Sequence, residues 1–355
     1  MMRVLALVPY PTDRAPGQRY RIEQWAPLLR REGIQVTFSP FLSGRGMEVL
    51  YESGHMAVKV WEMFRGYLRR LGETLRSTPA DVIFVYREAA LLGPAWVEQL
   101  LAARRPLVFD FDDAIYLGDT SPANAWSRML KSPSKVEALC RVARHVTVGN
   151  EFLARFARDR ATEVTVVPST IDTDVYRVEE RARNAVPVIG WTGSATTGAH
   201  LKALAPALKR LRARLDFELR VIGVKLDIED VMVRCVPWHS ETEPEDLSAL
   251  DVGLMPLPDD EWARGKCGMK ALQYMALGIP PVVSPIGVNE SIVRDGVNGF
   301  FASTPEQWVD RIARLLEDES LRRQLGREAR RTVEDSYSAK RQVPRIARVL
   351  TAAAA

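Results

Sequence analysis

Two stretches of the chain combine residue types suited to holding phosphate. The first, Gly265-Lys266-Cys267-Gly268-Met269-Lys270-Ala271-Leu272-Gln273, is a glycine-bearing loop that opens a helix at about Met269; the helix stops at Gly278 and a buried strand follows. Amide groups at a helix start have no intrahelical partner and point at an anion; Gly268 permits close approach, and Lys266 and Lys270 add positive charge. Gln273, one turn beyond Lys270 or less, is expected to point the same way and to hydrogen-bond sugar or ribose hydroxyls. An ordinary amphipathic helix with exposed lysines is the plain alternative. The second stretch, Gly190-Trp191-Thr192-Gly193-Ser194-Ala195-Thr196-Thr197-Gly198, lies between a strand and a helix, where open α/β sheets bind ligands. Gly193 and Ser194 would form a diphosphate cradle there, or simply a short polar turn. Neither GxxxxGK[ST] nor GxGxxG occurs in it, which weighs against ATP hydrolysis and NAD binding.

Carboxylates cluster at Phe109-Asp110-Phe111-Asp112-Asp113-Ala114, where an apolar strand runs straight into acids. Asp112 and Asp113 could orient acceptor hydroxyls, act as a base or bind a metal, and one of the acids could merely cap the following turn. The first loop, Pro11-Thr12-Asp13-Arg14-Ala15-Pro16-Gly17-Gln18-Arg19-Tyr20-Arg21, supplies Gly17 and three arginines, of which Arg19 or Arg21 could clamp a phosphate or an anionic acceptor; solvated surface arginines are the alternative. The four histidines, His55, His145, His200 and His239, have no triad or metal spacing and receive no role. Cys140, Cys235 and Cys267 are far apart, so neither a zinc site nor a disulfide framework is indicated, and a reducing compartment fits.

The elements that must position these residues alternate along the chain. Apolar runs at Val4–Val8, Gln35–Phe38, Asp81–Val85, Leu107–Phe109, His145–Val148 and Val164–Val167, separated by helix-like segments, have the βαβ rhythm of a parallel sheet. A charged stretch, Arg177–Val186, reads as a linker, after which the rhythm restarts with Val188–Trp191, Glu218–Ile222, Val252–Met255 and Pro281–Ser284. Two α/β domains are expected, 1–176 and 187–337, with a last helix, 338–355, after a break at Tyr337-Ser338, packing back on the first. A length of 355 residues agrees with two domains. With 46% hydrophobic and 26% charged residues, and no apolar run long enough to span a bilayer, the composition is that of a globular protein placed in the cytoplasm. The net charge of +4 is spread through helices, which weighs against nucleic acid as a partner. The helix 56–76 sets Trp61, Phe64, Tyr67, Leu68 and Leu71 among Arg65, Arg69 and Arg70; it either covers the first domain or offers a peripheral membrane-surface or lipid-acceptor face.

Taken together, these segments resemble the family-4 glycosyltransferases of the GT-B fold. The resemblance covers nearly the whole chain and is strongest in Asp251–Pro256, Gly265–Ser284, Gly287-Val288-Asn289-Glu290 and Asp295–Phe300, with Val164–Asp172 before the linker. It implies two Rossmann-like domains with parallel sheets facing a central cleft. It also implies transfer of a sugar, usually with retention and without a metal or other cofactor, from a nucleoside diphosphate sugar to a carbohydrate, lipid-linked or small-molecule acceptor. By this resemblance Gly193, Ser194, Lys266, Cys267, Gly268, Met269, Lys270, Gln273 and Glu290 bind the donor. From the residues themselves Asp112, Asp113 and Lys270 are expected to serve catalysis, the two acids standing at the loop where the family often has a histidine, and Gly17, Arg19 and Arg21 are expected to form an acceptor or phosphate loop. In the family two glutamates separated by seven residues contact the donor sugar and the ribose; here those positions are Gly265 and Gln273. The family's arginine and lysine after the first strand of the second domain are also missing, and Lys266 and Lys270 would replace their charge. An inactive nucleotide-sugar-binding protein and a GT-B-type sugar-nucleotide epimerase are the rival readings.

Overall fold

The apolar runs at the centre of each sheet become strands buried on both faces, as parallel sheets require, while those at the edges are partly exposed. The computed structural model describes residues 1–50, 52, 54–75, 79–118, 134–179 and 184–355. Part of the expected linker, 180–183, and residue 76 of the basic helix lie outside the described residues.

In the first unit, Met1–Ser169 with Gln342–Ala355, six parallel strands take the order β2-β1-β3-β4-β5-β6. They are β1 (Met2–Val8), β2 (Ile34–Pro40), β3 (Val82–Tyr86), β4 (Leu107–Phe111), β5 (His145–Val148) and β6 (Val164–Val166). Helices α1 (Pro16–Gln18), α2 (Gln24–Arg31), α3 (Gly44–Leu50), α4 (Met56–Leu75), α5 (Trp96–Ala102), α6 (Ser134–Val142) and α7 (Glu151–Arg158) join them.

The second unit, Thr170–Arg341, repeats the design with the order β12-β11-β10-β7-β8-β9, again all parallel. Its strands are β7 (Val188–Thr192), β8 (Glu218–Ile222), β9 (Val233–Val236), β10 (Val252–Met255), β11 (Pro281–Val283) and β12 (Phe300–Phe301). Helices α8 (Gly198–Lys202), α9 (Ala205–Arg212), α10 (Glu243–Ser248), α11 (Glu261–Arg264), α12 (Met269–Ala276), α13 (Asn289–Ile292), α14 (Pro305–Glu317) and α15 (Glu319–Thr332) accompany them. Trp191, Leu208, Leu219, Val252, Trp308 and Ile312 meet in the core. Thr304 and Gln307 form a reciprocal capping box with Pro305 at the first helical position, which fixes where α14 starts. The last helix, α16 (Ala339–Ala354), belongs to the first unit from Gln342 onward. Residues 170–176, grouped with the first domain from sequence, pack instead with the second: Ile171 bridges Ser338, and the Tyr176 hydroxyl donates to Glu243 Oε2 at 2.7 Å.

Strand order reverses between β1 and β3 in one sheet and between β7 and β10 in the other. At such a switch the connections leave in opposite directions and open a crevice beyond the carboxyl ends of the strands. The loops after β1, β3, β7 and β10 are therefore the places to look for a site.

Arg21 departs from its expected role. The chain kinks at this residue (φ −112°, ψ −114°) and turns its side chain into the first core, where it is fully buried. Its guanidinium donates to both carboxylate oxygens of Asp110 and to the Val167 carbonyl, and Thr147 Oγ1 donates to Asp110 Oδ1 at 2.5 Å. A fully enclosed fork-to-carboxylate pair is a structural bond, so Arg21 is corrected from phosphate clamp to core residue. Removing its partner would leave a buried charge uncompensated: Asp110→Ala is expected to lower unfolding free energy by about 3–5 kcal/mol in urea titration, and an unchanged midpoint would refute this assignment.

Candidate functional site

In the second unit the loop after β7 and the start of α12 lie at the switch. Strand β7 delivers Trp191 and Thr192, then turns at Gly193, where an added Cβ would lie 2.4 Å from the Trp191 ring and 2.7 Å from Thr197 Oγ1. Only glycine allows that turn to sit so low. The amides of Thr197 and Gly198 donate to the Ser194 carbonyl at 3.0 and 3.1 Å, winding the chain into α8, while Ser194 and Thr196 join their hydroxyls at 2.8 Å and stay exposed. Across the switch, Gly268 takes a left-handed conformation (φ 71°) as the residue preceding α12, and its missing side chain makes room for Ile292. Helix α12 then rises with its first amides directed toward the loop end, as at any helix start.

Both lysines rest on aromatic faces: the Lys270 ammonium is 5.4 Å from the centre of the Trp191 ring, and that of Lys266 is 5.7 Å from the Trp262 ring. His200, on α8, belongs to the same cluster. Burial lowers its pKa below the ordinary 6.5, and the positive charges of Lys266 and Lys270 lower it further, against a smaller opposing pull from Asp260. Two lysines beside this imidazole and the start of α12 are an arrangement chemically suited to an anion. Nothing local marks the proximity of His200 to lysines some seventy residues away; its place just after the Gly/Ser/Thr loop is the signal that points to it. Cys267 is buried, Met269 half-buried, and Glu290 exposed on the first turn of α13.

Gln273 does not point as expected. It is buried, and its Nε2 donates to Glu243 Oε1 at 2.9 Å. Glu243 also accepts from Trp238 Nε1 at 2.8 Å and from the Tyr176 hydroxyl at 2.7 Å. This buried carboxylate, absent from the sequence reading, orients the Gln273 amide: the nitrogen must face Glu243, which turns the carbonyl oxygen the other way.

In the first unit the loops after β1, β3 and β4 meet. Asp112 is buried; its Oδ1 accepts from the Tyr86 hydroxyl and from Arg87 Nε, each at 2.9 Å, and Arg87 Nη2 also bonds Asp113 Oδ2. Arg87 holds this position in a left-handed backbone conformation (φ 58°), a strain that its two carboxylates offset. Gly17 lies against the same group: a Cβ there would fall 2.5 Å from the Tyr86 hydroxyl and 3.1 Å from Asp112 Oδ2. Burial pushes the Asp112 carboxyl up, but the charges of Arg87 and Arg21 and the hydrogen bonds from Arg87 and Tyr86 outweigh it and hold the pKa below the ordinary carboxylate range. An ionised carboxylate held this way is a weak base, so the arrangement suits fixing Arg87 and the Gly17 loop better than accepting a proton. Arg19 sits beside this loop with its guanidinium 4.9 Å from the Tyr20 ring and 3.7 Å from Asp13.

Residues 186–318 match the family model described as glycosyl transferases group 1. That segment contains every residue expected to bind the donor, whereas Gly17, Arg19, Arg21, Asp112 and Asp113 lie before it. No curated protein matches the chain. Among solved structures it is similar to the sucrose-phosphate synthase of Thermosynechococcus elongatus, with a TM-score of 0.72 and 15% identity over 99% of this chain and 100% of that one. A glycosyltransferase from Rickettsia africae is similar with a TM-score of 0.69 and 14% identity over 99% and 98%. Anabaena HepE in complex with UDP and glucose is similar with a TM-score of 0.68 and 15% identity over 99% and 100%. At this level of identity the likeness shows the fold, which is the α/β GT-B fold of those enzymes.

The depressed imidazole gives a direct check on the cluster. In NMR titration of the full chain, His200 is expected to titrate below 6.5, and Lys270→Ala or Lys266→Ala should each move the midpoint upward. A midpoint indifferent to both substitutions would separate His200 from the lysines.

Proposed function

We propose that this protein is a glycosyltransferase that moves a sugar from a nucleoside diphosphate donor, held by the second unit, to a carbohydrate, lipid-linked or small-molecule acceptor. The observation that carries the reading is the gathering of Lys266, Lys270 and His200 around the start of α12 and the Gly193 turn, at the switch point of the unit that matches the group 1 glycosyl transferases. HepE, one of the similar structures, is described in complex with UDP-glucose, which makes a uridine diphosphate sugar the first donor to test. Retention of configuration, and transfer without a metal, rest on the resemblance to family-4 enzymes.

Breaking the glycosidic bond moves negative charge onto the departing diphosphate. Groups that bind that charge more tightly in the transition state than in the ground state lower the barrier. Lys266, Lys270 and the first amides of α12 would do this from fixed positions, the lysines held over indole rings before the donor arrives. His200, neutral when the site is empty, would gain a proton as the diphosphate offsets the two lysines. Gly193, Ser194, Cys267, Gly268 and Met269 would shape the phosphate pocket through backbone groups, and Glu290 would reach the donor sugar from α13. Asp112 and Asp113, through Arg87, would fix the acceptor loop around Gly17 and Arg19.

One observation favours a second reading. The position where the family has its ribose-binding acid is a buried glutamine bonded to Glu243, and the sugar-binding acid is replaced by Gly265. A protein that binds a nucleotide sugar without turning it over would tolerate both changes.

Thermal-shift screening against nucleoside diphosphate sugars, followed by assay of sugar release, separates the two. Transfer is expected to show as slow release of free sugar from the stabilising donor; tight binding with no release supports the second reading. Lys270→Ala is expected to weaken UDP binding about 10–100-fold, the effect of losing a hydrogen bond between charged groups, with Lys270→Arg recovering part of it. An unchanged affinity would overturn the proposal. Calorimetry of UDP binding in two buffers of different ionisation enthalpy should reveal proton uptake that disappears in His200→Ala, and buffer-independent heats would remove His200 from the site.

A further inference from the structure

Helix α4 is inverted. Its inward face carries Lys59, Glu62, Gly66, Arg70 and Thr74, all buried, while Val60, Trp61, Phe64, Leu68, Leu71 and Leu75 are 40–66% exposed. An ordinary surface helix arranges these classes the other way round. The inward polar groups are fully engaged rather than stranded. Arg70 donates to the carbonyls of Val8, Ser39 and Ala89 and pairs with Glu73 at 2.9 Å. Lys59 donates to the Glu52 carbonyl at 2.6 Å, Glu62 accepts from the Ser43 amide at 3.1 Å, and Gly66 lets the Phe41 ring lie against the backbone. The polar contacts lock α4 with its apolar stripe outward, so the stripe is held in that orientation by the fold itself.

At 3.6 residues per turn the six exposed residues fall within an arc of about 100°, along a helix about 30 Å long. The surface is a convex ridge, and α5 widens it with Trp96, which stacks on Tyr67 at 5.9 Å, and with exposed Leu100. Charge is one-sided along it. The acids of α4 are withdrawn, Glu62 with a side chain 5% exposed and Glu73 15%, whereas Arg65, which pairs with Glu62 at 3.7 Å beside the stripe, keeps its side chain 51% exposed. Arg69, one turn on, follows the same edge and donates to the Pro40 carbonyl. Among the described residues, no helix is long and apolar enough to cross a membrane.

From this geometry we infer that α4, with the exposed face of α5, is a docking surface for an anionic lipid bilayer: the apolar ridge enters the headgroup region and the arginine edge meets phosphate. A ridge with Trp and Phe on its crest and cations along one side matches the layered chemistry of a bilayer surface, where apolar depth lies beside anionic headgroups. A second copy of the chain would present the same arginine edge, and its like charge would oppose the pairing. The inference stands apart from the proposed reaction, since it uses no residue of the candidate site.

Cosedimentation of the full chain with vesicles tests it. Binding to phosphatidylcholine vesicles containing about 30% phosphatidylglycerol should exceed binding to phosphatidylcholine alone about tenfold and fall as salt rises. Phe64→Glu and Leu68→Glu, both at exposed positions, should abolish it without moving the thermal midpoint, and Arg65→Glu should remove most of the preference for the anionic vesicles. A chain that stays in the supernatant with both vesicles, or whose binding survives the two glutamates, overturns the inference. Equal binding to both vesicle types overturns the role given to the arginine edge. A dimer in light scattering that Phe64→Glu converts to monomer would assign the ridge to a second copy instead.

Discussion

The hydroxyl of Tyr274 accepts a hydrogen bond from the Thr192 amide at 3.1 Å and donates one to the Leu254 carbonyl at 3.3 Å. It thereby ties helix α12 to the ends of both β7 and β10, the two strands between which the second sheet changes direction. Burial raises the phenol's pKa well above its ordinary value, so it remains a donor at any pH the protein meets. Its ring lies on Gly253, where an added Cβ would be 2.2 Å away, so the helix approaches the sheet as closely as the backbone permits. Lys270 is one turn earlier on the same helix, and Trp191, on which it rests, is the residue before Thr192 on the strand that Tyr274 holds. The separation between the lysine, the Gly193 turn and the helix start is thus set by one hydroxyl and one glycine in the core. The placement of the candidate site depends on packing at the strand ends as well as on the lysines it displays.

The fold was legible because parallel strands are buried on both faces and so read as continuous apolar runs. Two strands escaped that reading for the same reason in reverse. Strand β9, Val-Arg-Cys-Val, lies at a sheet edge with its middle residues exposed, and β12 is only Phe300–Phe301. Neither has the length or burial that makes a pattern visible. Within the sites, residue type and local spacing could nominate lysines beside a helix start but could not reveal pairings across long stretches of chain. Arg21 and Asp110 are 89 residues apart and Gln273 and Glu243 are 30 apart, and in each case the partner decides where the side chain points. Arg87 was invisible for a further reason: its left-handed backbone follows from the two carboxylates it bridges, and nothing in its neighbours in sequence announces them.

The cations of this protein divide by chemistry. Arg21 and Arg70 are fully buried and saturated with carbonyl and carboxylate oxygens. A planar guanidinium with five donors can satisfy several fixed acceptors at once, and it stays charged in the interior. Lys266 and Lys270 instead lie half-buried over indole rings. A ring orients an ammonium through its electron-rich face, and the charges of both lysines add to burial in lowering the His200 pKa.

The same economy of placement explains how α4 can be inverted. A helix that buried an isolated arginine, lysine and glutamate would unfold its domain, because each charge would lose its water with nothing in return. Arg70 avoids this by collecting carbonyls from the carboxyl ends of β1 and β2 and from the segment after β3, the Val8 carbonyl accepting from the Phe41 amide as well. The strand ends that form a switch-point crevice on one side of β1 therefore also anchor α4 beside them. An outward apolar face follows from that anchoring: once the polar side of the helix is needed to close the sheet, the residues left over must face away from it.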